Sequence, residues 1–446
     1  MDTVPESILW NICCYIHFEE LDKLRWVNKR FFALLSSTEF IMARKANGVA
    51  EEILIVADGE YPVPMKRKKK KSSAASVDTR RKTLEETPMG VIYGYIPSLQ
   101  KWKRFGSDDL RTRNIRRYST VFIPHLYILL FLGGYHDYSC AQSNEEVWAF
   151  SFLTNCCQQW PSMLISQKRK HATSCPSSKI HVTLIGERYI VAIASDQQNH
   201  QNQKFDLKLW KWTQISNPPN HYHDDHRNQK DIAAVVASPC CRYLFLLYES
   251  NPTYPYDYYS SSSSLSSSQS VAGYSYRVDT DVWSSLPPIE EESNIVVGMN
   301  TSTIVYHDKI LLIGGIIPCS YNSNDDDDDD EYYNEDYTHL DNVSVPDLKV
   351  TESHQNDDTT CTSPSTMLSI PNLPIPVRGA SSCIYDGTLT VLGGLSSFSS
   401  EIYTKESSTV WQLHCDANEV AQWKSHPSIR LPHAALLNGL CFSIVL

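Results

Sequence analysis

Five residues with metal-binding chemistry crowd into one stretch, His221, His223, Asp224, Asp225 and His226. Such side chains ligate zinc or copper. Neighbours on one loop do not close a tetrahedral shell alone, and no cysteine stands near them, so a solvated polar loop is the expectation. The 13 cysteines contain no Cys-x-x-Cys spacing. They read as small buried hydrophobes of a reducing compartment rather than a disulfide framework or a metal knuckle. On that reading the sequons opened by Asn300 and Asn342 are discounted. No Ser-His-Asp order, phosphate-cradling glycine loop or paired carboxylate stands out. The pattern predicts no metal, no cofactor and no intrinsic catalysis, which leaves binding as the chemistry to look for.

Charge narrows the partners. The net charge of −11 argues against general nucleic-acid binding. It is unevenly spread. One basic block runs through Lys66, Arg67, Lys68, Lys69, Lys70 and Lys71 and resumes at Arg80, Arg81 and Lys82, against an acidic block from Asp325 to Glu331. The basic spacing is that of a bipartite nuclear-import signal, and the same charge could pair with the acidic block or with another anionic partner. The longest apolar run, Leu126 to Leu132, is too short to span a bilayer, and the N-terminus lacks the basic-then-apolar order of a secretory signal. The expected location is nucleus and/or cytoplasm, with no membrane partner.

The first 48 residues differ in pattern from the rest. Ile8, Leu9, Ile12, Cys13 and Ile16 recur at helical spacing, with Thr3 and Glu6 placed for a capping box. Leu21 and Leu24 mark a second short helix. Asn28 can cap a third that carries Phe31, Phe32, Leu34 and Leu35, with Val27 and Phe32 spaced for a hydrophobic staple. A polar helical tail, Ala43 to Asn47, follows. Three short helices bury too little surface to be secure alone, so a partner covering the leftover apolar positions is expected. The alternative is a helical cap that only packs on the body.

The body, 51–446, repeats itself. Three strand-like runs end in two glycines, at Gly134, Gly315 and Gly394. Two of them follow tight turns, His307-Asp308-Lys309 and Asp386-Gly387, of the kind that joins hairpin strands. Val147-Trp148 precedes Gln159-Trp160 just as Val410-Trp411 precedes Gln422-Trp423, each pair of tryptophans twelve residues apart. Tyr274, Tyr276 and Trp283 repeat the theme, as do Tyr93, Tyr95 and Trp102. Further units centre near Ile193 and Leu246. A C-terminal hairpin turning at Asn438-Gly439 is placed to pair with strands near Ile53–Val56 or Val91–Trp102, which would remove the open edges of a ring. Low-complexity insertions occupy 60–87, 251–270 and 318–366. Strand alternation puts connections after second and fourth strands on one face, so the second and third insertions share a face, joined by the first if Ile53–Val56 is the second strand of its blade; that face is either a recognition surface or a set of neutral expansions.

Two resemblances follow from these residues. The opening Val4-Pro5-Glu6, the Leu21-x-x-Leu24-Arg25 segment and the basic-aromatic turn Lys29 to Phe32 resemble the F-box, with phenylalanine where many F-boxes carry tryptophan. Four strands with a diglycine after the second and aromatics on the third and fourth resemble the kelch repeat, one blade of a β-propeller. The implied fold is a small all-α three-helix module, residues 1–48, ahead of an all-β kelch-type propeller, 51–446, with six blades favoured and seven as the alternative. F-box/kelch proteins are substrate receptors of cullin-based ubiquitin ligases. The resemblance therefore implies a Skp-family adaptor on the helices, through it a cullin and a RING subunit, and an unidentified target protein on the propeller. Pro5, Ile8, Leu9, Ile12, Leu21, Leu24, Val27 and Phe31 are the candidate adaptor contacts, some of which must instead hold the helices together. Kelch propellers that are copper-radical oxidases need a Tyr, His and Cys set that does not align here. The competing reading is a kelch interaction scaffold outside any ligase, with the nucleus as its location if the basic block acts as an import signal.

Overall fold

A computed structural model describes residues 4–57, 92–106, 118–134, 145–164, 180–194, 202–219, 232–248, 273–286, 297–298, 300–318, 337–346, 348, 370–397, 404–406, 408–415, 420–431 and 440–446. Four short helices come first: α1 Glu6–Cys14, α2 Phe18–Arg25, α3 Lys29–Leu35 and α4 Thr38–Ala46. None is long and apolar enough to cross a membrane.

Strands follow in sheets, each one blade of a six-bladed propeller. In chain order, blade 1 takes β1 Glu52–Ala57, β2 Ile92–Ile96 and β3 Lys101–Phe105. Blade 2 is β4 Ser119–Ile123, β5 Ile128–Leu132, β6 Val147–Ser151 and β7 Cys156–Trp160. Blade 3 is β8 Ile180–Ile185, β9 Tyr189–Ala194, β10 Gln203–Asp206 and β11 Lys211–Gln214. Blade 4 is β12 Ile232–Ala237, β13 Tyr243–Tyr248, β14 Gly273–Arg277 and β15 Val282–Ser285.

Blade 5 has three described strands, β16 Ser302–Tyr306, β17 Lys309–Ile313 and, after the ribbon β18 Ile316–Pro318 with β19 Tyr337–His339, β20 Val343–Ser344. Blade 6 is β21 Ser381–Tyr385, β22 Thr388–Leu392, β25 Thr409–Cys415 and β26 Ala421–Arg430, with the ribbon β23 Leu395–Ser397 and β24 Thr404–Glu406 between its second and third strands. The last strand, β27 Leu440–Val445, pairs antiparallel with β1 from Glu52↔Val445 to Ala57↔Leu440 and becomes the innermost strand of blade 1. First and last segments thus share a blade, as the sequence predicts, and the ring count is six. The Asn438-Gly439 turn lies outside the described residues.

The diglycines end second strands β5, β17 and β22, and all six glycines have positive φ. The reason is close approach as well as backbone hand: a Cβ on Gly314 would stand 2.5 Å from the Val377 carbonyl oxygen, and one on Gly394 2.9 Å from that of Arg378. The turns His307-Asp308 and Asp386-Gly387 have both central residues at positive φ, the geometry that matches strand twist in a two-residue hairpin.

Aromatics fill the wedges between blades, but the equal tryptophan spacing misleads. Trp160 pairs with Val147 at the far end of β7, whereas Trp423 pairs with Leu413 near the start of β26. The equivalent positions are Trp102, Trp212, Trp283 and Trp423, near the start of the fourth strands of blades 1, 3, 4 and 6. Each indole N–H donates to a backbone carbonyl of the preceding blade or the chain leaving it: Trp102 to Arg430 at 2.6 Å, Trp212 to Pro161 at 2.9 Å, Trp283 to Ser216 at 2.9 Å and Trp423 to Pro371 at 2.8 Å. In blade 2 the corresponding rung, opposite Phe150, holds Cys157 instead. There the seam with blade 1 is filled by Phe105, Phe131, Phe150 and Phe152, and the helices pack into the same cluster.

The acidic insertion differs from its predicted bounds. Val343 and Ser344 form a third strand inside 318–366, so only the part before it connects second to third strand.

Candidate docking surfaces

The two faces of the ring are unlike. Connections from first to second strand and from third to fourth are two to five residues long, as at 97–100, 186–188, 238–242 and 307–308. Nearly all the left-handed non-glycine residues lie in them, among them Gln100, Tyr127, Asn155, Trp210, Cys241 and Asp281. Connections from second to third strand leave from the opposite rim and span 58–91, 133–146 and 249–272 in blades 1, 2 and 4. Since β1 is the second strand of its blade, the basic block departs from this rim, as does the stretch with the acidic block after β17. Lys66 to Lys71, Arg80 to Lys82, Asp325 to Glu331 and the His221–His226 group themselves lie outside the described residues.

The helices are seated on the short-turn face over blades 1 and 2, not standing free of the ring. His17 Nε2 is 2.9 Å from Ser98 Oγ, and the Glu51 carboxylate accepts both the Ser98 hydroxyl and its backbone N–H. Lys103 Nζ reaches Asp22 Oδ2 at 3.3 Å, and Lys45 Nζ donates to the Tyr127 hydroxyl at 3.4 Å. Cys13, Cys14, Leu21, Leu35, Phe40 and Ile41 form one hydrophobic cluster with ring residues such as Ile53, Phe150 and Leu446.

Two buried arginines hold the module's shape. Arg44 on α4 donates to the carbonyls of Cys14 at 2.7 Å, Ile16 at 2.8 Å and Val49 at 3.0 Å, tying α1 to α4 and to the lead into β1. Arg25, 2% exposed, pairs with Asp22 and donates to the Leu35 carbonyl. Burial pulls both guanidinium pKa values down, with Asp22 opposing this at Arg25 and Cys14 and Glu51 opposing it at Arg44. A charge so enclosed persists because every available acceptor is a fixed backbone dipole or a carboxylate.

Several local expectations need correction. The helix after Ser37 is no polar tail: Ser37 Oγ accepts from Phe40 N at 3.2 Å, and Phe40, Ile41 and Arg44 turn inward, making four helices rather than three. α1 starts at Glu6 with Pro5 in the N-cap position and no side-chain cap bond; Thr3, the expected cap, lies outside the described residues. Asn28 does cap α3, its Oδ1 accepting from Phe31 N at 2.9 Å. Val27 remains exposed, and Phe32 instead meets Trp26, ring centroids 5.8 Å apart.

The candidate adaptor residues divide by burial. Leu21 is 2% exposed and belongs to the core, so it is withdrawn as a contact. Leu9, Leu24 and Phe31 are half-buried against that core. Pro5, Ile8, Ile12 and Val27 are exposed. Ile8 at 49% and Ile12 at 56% stand one turn apart on α1, with Tyr15 following at 68%. Sequence reasoning missed Trp26, 65% exposed, and Met42 on α4, 61% exposed. A tryptophan just before an Asn cap was the available signal for the first. Among the described residues no group of three His, Cys, Asp or Glu side chains is placed to hold a metal ion.

No protein-family model matches the chain, and no curated protein matches it. Among solved structures, it is similar to that of YjhT, with 10% identity, a TM-score of 0.43, and 75% of this chain and 91% of that one covered. It is also similar to a novel fungal alcohol oxidase with catalytic diversity among the AA5 family, in complex with copper, at 11% identity and a TM-score of 0.42, covering 78% of this chain and 60% of that one. What the chain's own strand order establishes is a six-bladed β-propeller carrying a helical module on its short-turn face.

Proposed function

We propose that this chain is the substrate-recognition subunit of an SCF-type ubiquitin ligase, without catalytic chemistry of its own. The F-box-like helices take a Skp-family adaptor and through it a cullin and a RING subunit. The long-loop face of the propeller holds the target protein. One observation carries this reading: α1 is locked into the ring by Cys13 and Cys14 while Ile8, Ile12 and Tyr15 stay uncovered on its other side. A rigidly seated helix with a spare apolar row is built for a partner that finishes the burial. The receptor forms no bond; it raises the effective concentration of target lysines near a charged ubiquitin carrier.

A second reading, a kelch scaffold that joins no ligase, draws on the shared core itself, since helices packed on blades 1 and 2 also serve as a cap. Copurification with a Skp-family adaptor and a cullin separates the two. Ile12→Asp is expected to abolish capture while leaving thermal unfolding nearly unchanged, because a half-exposed site costs about 0.5 kcal/mol or less. A wild-type chain that retains no adaptor at micromolar concentration would overturn the ligase reading.

A further inference from the structure

The ring is closed by β27, and a pair of thiols straddles the seam that it closes. Cys441 on β27 and Cys383 on β21 are 3% and 4% exposed, on two strands that pack against each other across the seam. These are the innermost strands of blades 1 and 6, and the two strands belong to different hydrogen-bonded sheets. Both thiols lie in one apolar cluster with Leu54, Val56, Tyr385 and Val410. We propose that Cys383 and Cys441 form an oxidation-dependent clasp that joins the closing strand covalently to blade 6. The proposal is independent of the ligase reading.

The chemistry needs a two-electron oxidant, and a peroxide is small enough to reach such a site. One thiolate attacks a peroxide oxygen, giving a sulfenic acid and releasing the other oxygen as water. The second thiolate then attacks the sulfenic sulfur, the S–O bond breaks, and a second water leaves. Two thiols lose two protons and two electrons in all, and hydrogen peroxide takes up both to become two waters.

Position controls the first step. Burial, reinforced by the Cys383 thiol, pushes the Cys441 pKa well above its ordinary range. With β27 seated, the Cys441 thiol stays protonated and slow to react. Lifting of β27 exposes a thiol to oxidant, and its return delivers the sulfenic sulfur to the second thiol. The resulting crosslink closes a long loop in the unfolded chain and so favours the closed ring.

The test uses the full-length, fully reduced protein exposed to hydrogen peroxide, with and without urea below the unfolding midpoint. Intact mass and non-reduced peptide mapping are expected to show loss of two hydrogens and a Cys383–Cys441 linked peptide, formed faster in urea. The oxidised protein should melt higher, and a dithiol reductant should reverse the shift. Cys383→Ala and Cys441→Ala should each abolish the linked peptide and the shift. Peptide mapping of the wild type stands even where a variant folds poorly. Recovery of both residues as free thiols or as sulfinic acids after oxidant treatment, or a link formed elsewhere while these two remain alkylatable on unfolding, overturns the proposal.

Discussion

Trp212 of blade 3 donates its indole N–H to the carbonyl of Pro161, the first residue after the outer strand of blade 2, at 2.9 Å. The same bond recurs at three other seams, so neighbouring blades are held by a directed contact as well as by apolar filling.

This bond separates two tryptophans that look alike in sequence. Trp212→Phe gives up a seam hydrogen bond, whereas the buried Trp160 Nε1 has no partner among the described residues. Both lose similar ring area, so Trp212→Phe should destabilise by about 0.5–1.5 kcal/mol more than Trp160→Phe in urea unfolding. Equal losses would mean that the indole bond contributes nothing net.

Glycine is required at the strand ends for a different reason than in the turns. Gly387 has φ +66° with open space around its Cβ position, so Gly387→Ala carries backbone strain alone, about 1 kcal/mol. At Gly314 the strain is joined by a 2.5 Å approach to the Val377 carbonyl, and Gly314→Ala should cost roughly 2–4 kcal/mol. Chemical denaturation of the two variants should show that order; a reversed order would contradict the close approach.

Arg44 is the tie between α1, α4 and the ring. Arg44→Met keeps the stem but leaves the carbonyls of Cys14, Ile16 and Val49 without their donor, an expected loss of about 2–4 kcal/mol. Limited proteolysis should then release the first helices before the propeller is cut. Unchanged protection of α1 would show that apolar packing alone suffices.

His426 gives the molecule an acid-sensitive site in blade 6. Its Nδ1 accepts from the backbone N–H groups of Ser428 at 3.2 Å and Ile429 at 3.1 Å, a role open only to an unprotonated nitrogen. Burial, with help from His414 and against Asp386, lowers its pKa below the ordinary value. The unfolded chain therefore binds the proton first, so this contribution is complete above a pH of about 6.5 and is lost as pH falls through the lowered value. The urea midpoint should drop between about pH 7.5 and pH 5.5, and less so in His426→Asn, whose amide oxygen can still accept. An identical drop in the variant would assign the acid sensitivity elsewhere.

Much of the ring was legible because its signals are backbone requirements. Glycine pairs, Asp386-Gly387 and alternating apolar runs report local geometry, and they mark β5, β17, β22 and the hairpins directly. Register was not legible. The twelve-residue interval from Trp148 to Trp160 equals that from Trp411 to Trp423, yet the rungs differ because the intervening turns differ in length. In the helices, the Asn28 cap could be read, being a contact within three residues. The inward turn of α4 could not, since it depends on Arg44 finding carbonyls on α1, some thirty residues earlier in the chain. Leu21 illustrates the same limit: periodicity marks a residue as apolar without saying whether the ring or a visiting protein covers it.

With the two-to-five-residue turns gathered on the face that carries the helices and the long connections leaving from the opposite rim, the molecule has one side that cannot lengthen and one that can. An epitope or fluorescent domain spliced at 58–91 or 249–272 enters remote from α1, so the ring can be labelled there without crowding Ile8 and Ile12. For the same reason, changes of cargo preference can accumulate on that rim while the spacing between helices and barrel axis stays fixed, like interchangeable bits in a common chuck.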